Sequence, residues 1–287
     1  MKTLLVPAAL ALAGLATPLP AEPLTKNETV HQTLHFAGSG PHVLEVRTVH
    51  GTISVEGYDG DVVDMTVDKS IGARTADAME KALAEVSLEI ADNAATVGAV
   101  ARYRDGMTCG DEHEHNNNDS WPKYEVRYDF RIRVPRNTRL TVCTINRGDI
   151  TVKGTRADFS VNTINGRIDL ADMGGSGEAI TINGGITGSF AVAPRADSVF
   201  RTINGSVVLT MPAGFTADMN MKTFNGGLFT DFETKPRAVQ TIATPQRQGG
   251  KFVYETNSFA TVRVGNGGPL LTLETLNGDV RILHDAR

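Results

Sequence analysis

The chain has 287 residues, 29 of them glycine and 6% aromatic, and a formal net charge of −5 with acidic and basic residues interspersed. That balance gives no electrostatic reason to expect a nucleic-acid partner, and high glycine with few aromatics suits a turn-rich β protein. Roughly 265 residues remain after a leader is set aside, enough to bury a continuous all-β core.

Lys2 followed by the apolar run 4–15 has the charged-then-apolar order of a secretory leader and is too short to span a bilayer. Residues 1–21 are read as a signal peptide, with cleavage after Ala16 or Ala21, and 22–287 as one domain. No later stretch is apolar enough for a membrane helix, so the mature chain is expected to be exported, to periplasm, cell surface or medium. First strands occupy 22–60. An excursion over 61–135 contains a helix capped by Thr75, with Met79, Leu83 and Val86 on one face, then strands over 86–90 and 96–103. A polar loop follows, and residues 124–134 form the clearest alternating strand. Regular repeats fill 136–232, an irregular insertion 233–260, and closing strands 261–287.

Seven copies of one phrase organise the chain: threonine, an aliphatic or aromatic residue, then asparagine or histidine, then glycine. They centre on His50, Asn146, Asn165, Asn183, Asn204, Asn225 and Asn277, and the steps from Asn146 to Asn225 are 19, 18, 21 and 21 residues. Such self-similarity marks a stacked-repeat architecture. Positions six and four before the Asn are mostly apolar, as in Leu140 and Val142, and so are those three and five after it, as in Ile168 and Leu170. Each side of the phrase is therefore a half-buried strand, with a corner or bulge where the parity switches after the Thr. Asn-Gly is also a hairpin signal, but a two-residue hairpin would set the aliphatic residue opposite Thr52, Arg167 or Asp279. Stacking like on like avoids that mismatch. The expected fold is all-β: a single-stranded β-solenoid, similar to a β-helix or β-roll, with Asn-Gly rungs of about 18–21 residues and one short helix in the N-terminal excursion.

The opening Thr-Val-His-Gly-Thr-Ile-Ser-Val-Glu-Gly-Tyr-Asp-Gly (48–60), Arg-Val-Pro (133–135) leading into Asn-Gly rungs, and the closing segment 264–280 carry a resemblance. They resemble the bacterial putative-adhesin family of β-strand-repeat domains of unknown function. The resemblance covers most of the mature chain and implies an exported, envelope-associated β-solenoid with no catalytic residues to carry over. His50 in place of the first Asn, and Arg147 pushed into the second copy, depart from the pattern and point to a capping rung or a bulge.

The Asn and Thr columns read as structural: Asn suits a left-handed turn and bonds to its copies above and below. Cys109 and Cys143 are an even pair in an oxidising compartment, and a bridge would stabilise by about 3–4 kcal/mol through chain entropy. The loop 109–119 holds His113, His115 and several acids, enough donors for a zinc, copper or nickel ion but without a standard ligand spacing, so it reads as a solvated loop with a metal site as the alternative. His31 and His35 share a strand face without a third ligand, and Tyr58 and Trp121 read as packing or loop anchors. The expected function is a non-catalytic envelope scaffold or adhesin, without cofactor, that binds envelope polysaccharide or protein or associates with itself. The alternatives are a carbohydrate-active β-helix enzyme and a metal-binding envelope protein. Outward acids such as Asp149, Asp169 and Asp279 are scattered over successive rungs rather than paired as glycoside hydrolysis requires.

Overall fold

A computed structural model describes residues 23–38, 40–93, 95–110, 123–237, 245–248, 251–254 and 259–285. The leader assigned to 1–21 lies outside them. The chain opens with β1 (Leu24–His35), β2 (Val43–Arg47), β3 (Ile53–Tyr58) and β4 (Val62–Ala73), followed by helix α1 (Ala76–Glu85). Then come β5 (Ser87–Asp92), β6 (Thr96–Arg102) and β7 (Tyr124–Pro135). The regular series is β8 (Arg139–Cys143), β9 (Ile150–Lys153), β10 (Phe159–Asn162), β11 (Ile168–Met173), β12 (Gly177–Ile180), β13 (Ile186–Phe190), β14 (Ser198–Arg201), β15 (Val207–Met211), β16 (Ala217–Lys222) and β17 (Leu228–Thr230). The last strands are β18 (Thr234–Pro236), β19 (Pro245–Gln248), β20 (Lys251–Tyr254), β21 (Ala260–Val264), β22 (Leu270–Glu274) and β23 (Val280–His284).

The described residues are nearly all β, in two large mixed sheets, neither of which closes into a barrel. One runs β1-β4-β7-β3-β9-β11-β13-β15-β23-β17 and the other β18-β21-β16-β22-β14-β12-β10-β8-β2-β6-β5, with β19-β20 a separate pair. From β8 to β17 the chain alternates between the sheets, crossing at each Asn-Gly corner. Neighbours along this stretch are parallel and in register: Leu140 lies opposite Phe159, Ile150 opposite Ile168, and Ile186 opposite Val207. A hairpin at each corner would have made the flanking strands antiparallel partners; instead β8 pairs with β2 and β10. The apolar positions on either side of the corner meet between the sheets, where Leu140, Val142, Ile168, Val207, Leu273 and Val280 are fully buried.

Three expectations need correction. First, the rungs do not stack in chain order. β22 lies between β14 and β16, and β23 between β15 and β17, so the Asn277 copy sits between those of Asn204 and Asn225. Second, of the helix face expected at Met79, Leu83 and Val86, Val86 is buried and Met79 packs on the core, but Leu83 is exposed and the buried positions within the helix are Ala78 and Ala82, whose methyl side chains let it lie close against the sheet. Third, the asparagines do not take left-handed backbone. Among the described non-glycine residues only Arg147 and Asp172 have positive φ, and Arg147, at 51°, is the extra residue of the second copy, held in a bulge.

The first end of the stack is covered by antiparallel strands, β7-β4-β1 in one sheet and β6-β5 in the other. Beside it, Cys143, on the face opposite Leu140 and Val142, is bonded to Cys109. At the other end β21 pairs antiparallel with β16.

The glycine of the phrase is required by close approach in every copy, and at Gly51 and Gly278, with φ of 129° and 150°, by dihedral angle as well. A Cβ on Gly166 would stand 2.0 Å from the Gly148 carbonyl oxygen, and one on Gly184 2.0 Å from that of Gly166. Backbone lies on backbone at this corner, so no side chain can move aside. Gly184→Ala is therefore expected to lower the unfolding free energy by about 3 kcal/mol. Gly72→Ala, where a Cβ meets nothing within 4 Å, should stay within about 0.5 kcal/mol of the wild type; urea unfolding of the two variants makes the comparison.

Candidate functional site

Because glycine brings the corners together, the threonine three residues before it and the asparagine just before it can bond from rung to rung. Thr163, Thr181, Thr202 and Thr275 are buried, and each hydroxyl donates to the glycine carbonyl of the neighbouring copy: Thr163 to Gly148, Thr181 to Gly166, Thr202 to Gly184 and Thr275 to Gly205, at 2.7–3.3 Å. Thr223 donates to Gly278 at 2.8 Å, so this inner column follows the spatial order and not the chain order. Asparagine forms the outer column. Asn165 Nδ2 donates to Asn146 Oδ1, Asn183 to Asn165, Asn204 to Asn183, Asn277 to Asn204 and Asn225 to Asn277, all at 2.7–2.8 Å. The amides all point one way along a continuous chain, an arrangement in which each bond polarises the next.

Between threonine and asparagine stands the aliphatic or aromatic residue, and the structure turns it outward. Ile164, Ile182, Ile203, Leu276 and Phe224 are 37%, 38%, 40%, 45% and 75% exposed, in that order along the stack. Their carbonyls accept from the next asparagine N–H, as Ile182 does from Asn204 and Ile203 from Asn277 at 2.8 Å, so the column is locked in place. Parity counting assigns these residues to the buried phase of the following strand; the corner takes them out of it. The usable signal was the phase slip itself, since successive residues of an extended segment point to opposite faces and the threonine takes the inward one; at the capped end Val49 is drawn in as well. Beside this column Arg167 and Asp149 form an ion pair at 3.1 Å, and Asp279 accepts from Gly227 N–H and Arg281. Asp149 and Asp279 thus each bond a neighbouring rung, to Arg167 and to Gly227.

His50 continues the column at its capped end through a parallel bridge to Asn146. It is tied in by Tyr103, whose hydroxyl contacts Thr48 Oγ1 at 2.9 Å, accepts from the His50 N–H at 3.0 Å and lies 3.1 Å from the His50 carbonyl oxygen. Burial pushes the Tyr103 phenol up to about 12, so it remains a donor. Burial, and after it the Arg147 cation, holds His50 below the ordinary imidazole value.

Of the other candidates, His31 bonds Thr66 Oγ1 at 3.1 Å on the exposed face of β1. Tyr58 lies under the Arg133 guanidinium and donates to the Val62 carbonyl. His113, His115 and Trp121 lie outside the described residues, and among the described residues no three His, Cys, Asp or Glu side chains gather as metal ligands. No helix among them is long and apolar enough to cross a membrane. A shallow recess of about 390 Å³ opens at the far end between Phe215, Phe232, Lys235, Val264 and His284.

No protein-family model matches the chain, and no curated protein is similar to it. Solved structures similar to it include a putative cell adhesion protein from Clostridium sporogenes ATCC 15579, at 9% identity over 91% of this chain and 100% of that one, with a TM-score of 0.38. A putative adhesin from Bacteroides fragilis NCTC 9343 is 10% identical over 90% of this chain and 97% of that one, TM-score 0.37. A putative lipid binding protein from Parabacteroides distasonis ATCC 8503 is 9% identical over 90% and 96%, TM-score 0.32.

Asn183 holds two ladder bonds and Asn225 one. Asn183→Ala should lower the unfolding free energy by about 1–2 kcal/mol and Asn225→Ala by about half as much, measured by urea unfolding. His50 gives a pH test. Its folded value is depressed, so the unfolded chain takes up the proton first, and stability is lost as pH falls below about 6.5 toward the folded value. The fall in urea midpoint between pH 7.5 and pH 5 should be smaller in His50→Asn than in the wild type.

Proposed function

We propose that this chain is a non-catalytic, exported β-solenoid that binds or organises components of the bacterial envelope. Strands that alternate between two sheets and stack in parallel register support the solenoid reading; the leader-like residues 1–21 support export. The observation that carries the binding role is the outward column of Ile164, Ile182, Ile203, Leu276 and Phe224 beside the asparagine ladder. Five apolar side chains at the strand spacing of about 4.8 Å make a ridge on the order of 20 Å long. Contiguous exposed apolar surface of this kind marks interaction sites on soluble proteins. A repeating ridge is matched by a repeating or extended ligand, such as an envelope polysaccharide or a strand of another protein.

The experiment is retention of the tag-free mature protein on fractionated envelope, scored together with release of soluble product. The wild type should be retained without product release. Ile164→Thr, Ile182→Thr and Ile203→Thr combined keep the branched stems that suit a strand and should lower retention at least several-fold with the fold intact. Retention unchanged by the triple substitution, retention by no fraction, or product release would each overturn the reading.

A further inference from the structure

The closing rung occupies a slot in the interior of the stack. The step from Asn204 to Asn225 is 21 residues, the same as from Asn183 to Asn204, yet β16 and β17 do not lie on β14 and β15. Residues 270–284 fill the space between them and are recognised from both sides. Thr275 donates to Gly205 and Thr223 to Gly278, while Asn277 gives its amide to Asn204 and accepts from Asn225. Asp279 takes the Gly227 N–H, and the Arg281 guanidinium lies 4.6 Å from the Phe229 ring centre.

One position makes the slot selective. Three residues before the asparagine, the three facing rungs carry Arg201, Glu274 and Lys222 in register. Glu274 is 2.9 Å from Arg201 Nε and 3.6 Å from Lys222 Nζ. Direct stacking of the flanking rungs would bring Arg201 against Lys222, a like-charge pair at a cross-strand position. The slot therefore rejects closure on itself and takes a rung carrying an acid. The incoming rung is joined to the rest by Gly265-Asn266-Gly267-Gly268-Pro269, a turn with three glycines at positive φ, which passes the end of β16 because β21 and β22 lie on opposite sides of that strand.

We propose that this slot is a self-recognition site that takes the 270–284 rung of a second copy of the chain, linking two copies by reciprocal exchange. All contacts named above are retained when the rung comes from a partner, as in any exchange of an identical element. The glycine turn is the segment that opens. The proposal rests on the solenoid reading for its geometry and supplies one partner for it, but it uses none of the outward aliphatic column.

Charge reversal tests it with full-length chains. Glu274→Lys gives a rung that its own slot rejects; Arg201→Glu with Lys222→Glu gives a slot that rejects its own rung; each chain's rung then fits the other's slot. Refolded together, the two should elute at twice the monomer mass with one copy of each, whereas the chain carrying all three substitutions should return to the wild-type melting temperature and fold without a partner. A mixture with no one-to-one dimer overturns the proposal whether or not each variant folds alone, as does a dimer no richer in mixed than in like pairs. A triple variant that fails to regain wild-type stability overturns the charge key itself. Envelope retention of the wild-type protein is read separately, so failure of exchange leaves that assay to stand or fall on its own.

Discussion

The whole stack depends on how closely backbone can approach backbone at one corner. With a glycine carbonyl 2.0 Å from where the next glycine's Cβ would be, every rung must present the same bare atom at the same place. Close approach puts the threonine hydroxyl within reach of that carbonyl and the asparagine amide within reach of the amide below it. The Thr-x-Asn-Gly phrase is therefore a single geometric unit: glycine sets the distance, threonine satisfies the inner carbonyl and asparagine satisfies its own kind outside. Losing the glycine affects both ladders, whereas losing an asparagine affects only the outer one.

A stack of parallel rungs has two ends, and each sheet edge there is a row of unpaired backbone groups. The first end is closed by reversing strand direction: β7 and β6 still run parallel to the body, β4 turns against β7 and β1 against β4 in one sheet, and β5 turns against β6 in the other. Tyr103 and His50 finish the corner columns at that end with a hydroxyl and an imidazole in place of another amide. At the far end the second sheet is closed in the same way by β21. The first sheet ends at β17, whose Leu228 and Phe229 are exposed. The chain thus uses antiparallel strands as caps and parallel strands as body, the reason both sheets are mixed.

Repeat, strand phase and helix were legible in the sequence because each follows from a local rule. Alternation fixed which of Leu140, Val142, Ile168 and Leu170 face inward, and Thr75 marked the helix start. What was not legible depends on distance in space. The Asn277 phrase is a copy like the others, so nothing in its own residues says that it lies before Asn225 rather than after it. The signal was one column over, in Arg201, Glu274 and Lys222, and it becomes readable only when rungs are aligned and their charges compared. The helix face was misread at Leu83, though not at Met79 and Val86, for a related reason: hydrophobicity favours Leu83, but proximity to the sheet favours Ala78 and Ala82. At the corner, a preference of asparagine for left-handed backbone was invoked where hydrogen bonding between copies is the cause.

Internal stacking also decides the outer surface. Once the core, glycine and threonine positions are fixed, the residue between threonine and asparagine has no partner inside and its carbonyl is committed to the next rung. Its side chain is then free to vary, yet it stays apolar in every copy: Val49, Ile145, Ile164, Ile182, Ile203, Leu276 and Phe224. Val49 and Ile145 are drawn in at the capped end, and exposure rises steadily from Ile164 to Phe224. Burial therefore explains apolar character at only the first two positions. For the remaining five, solvent would favour polar side chains at a corner whose backbone is already satisfied, and stacking of branched side chains at the strand spacing recovers only part of the apolar area. A ridge that keeps its apolar character as its exposure rises toward Phe224 is what the binding role proposed for this column requires.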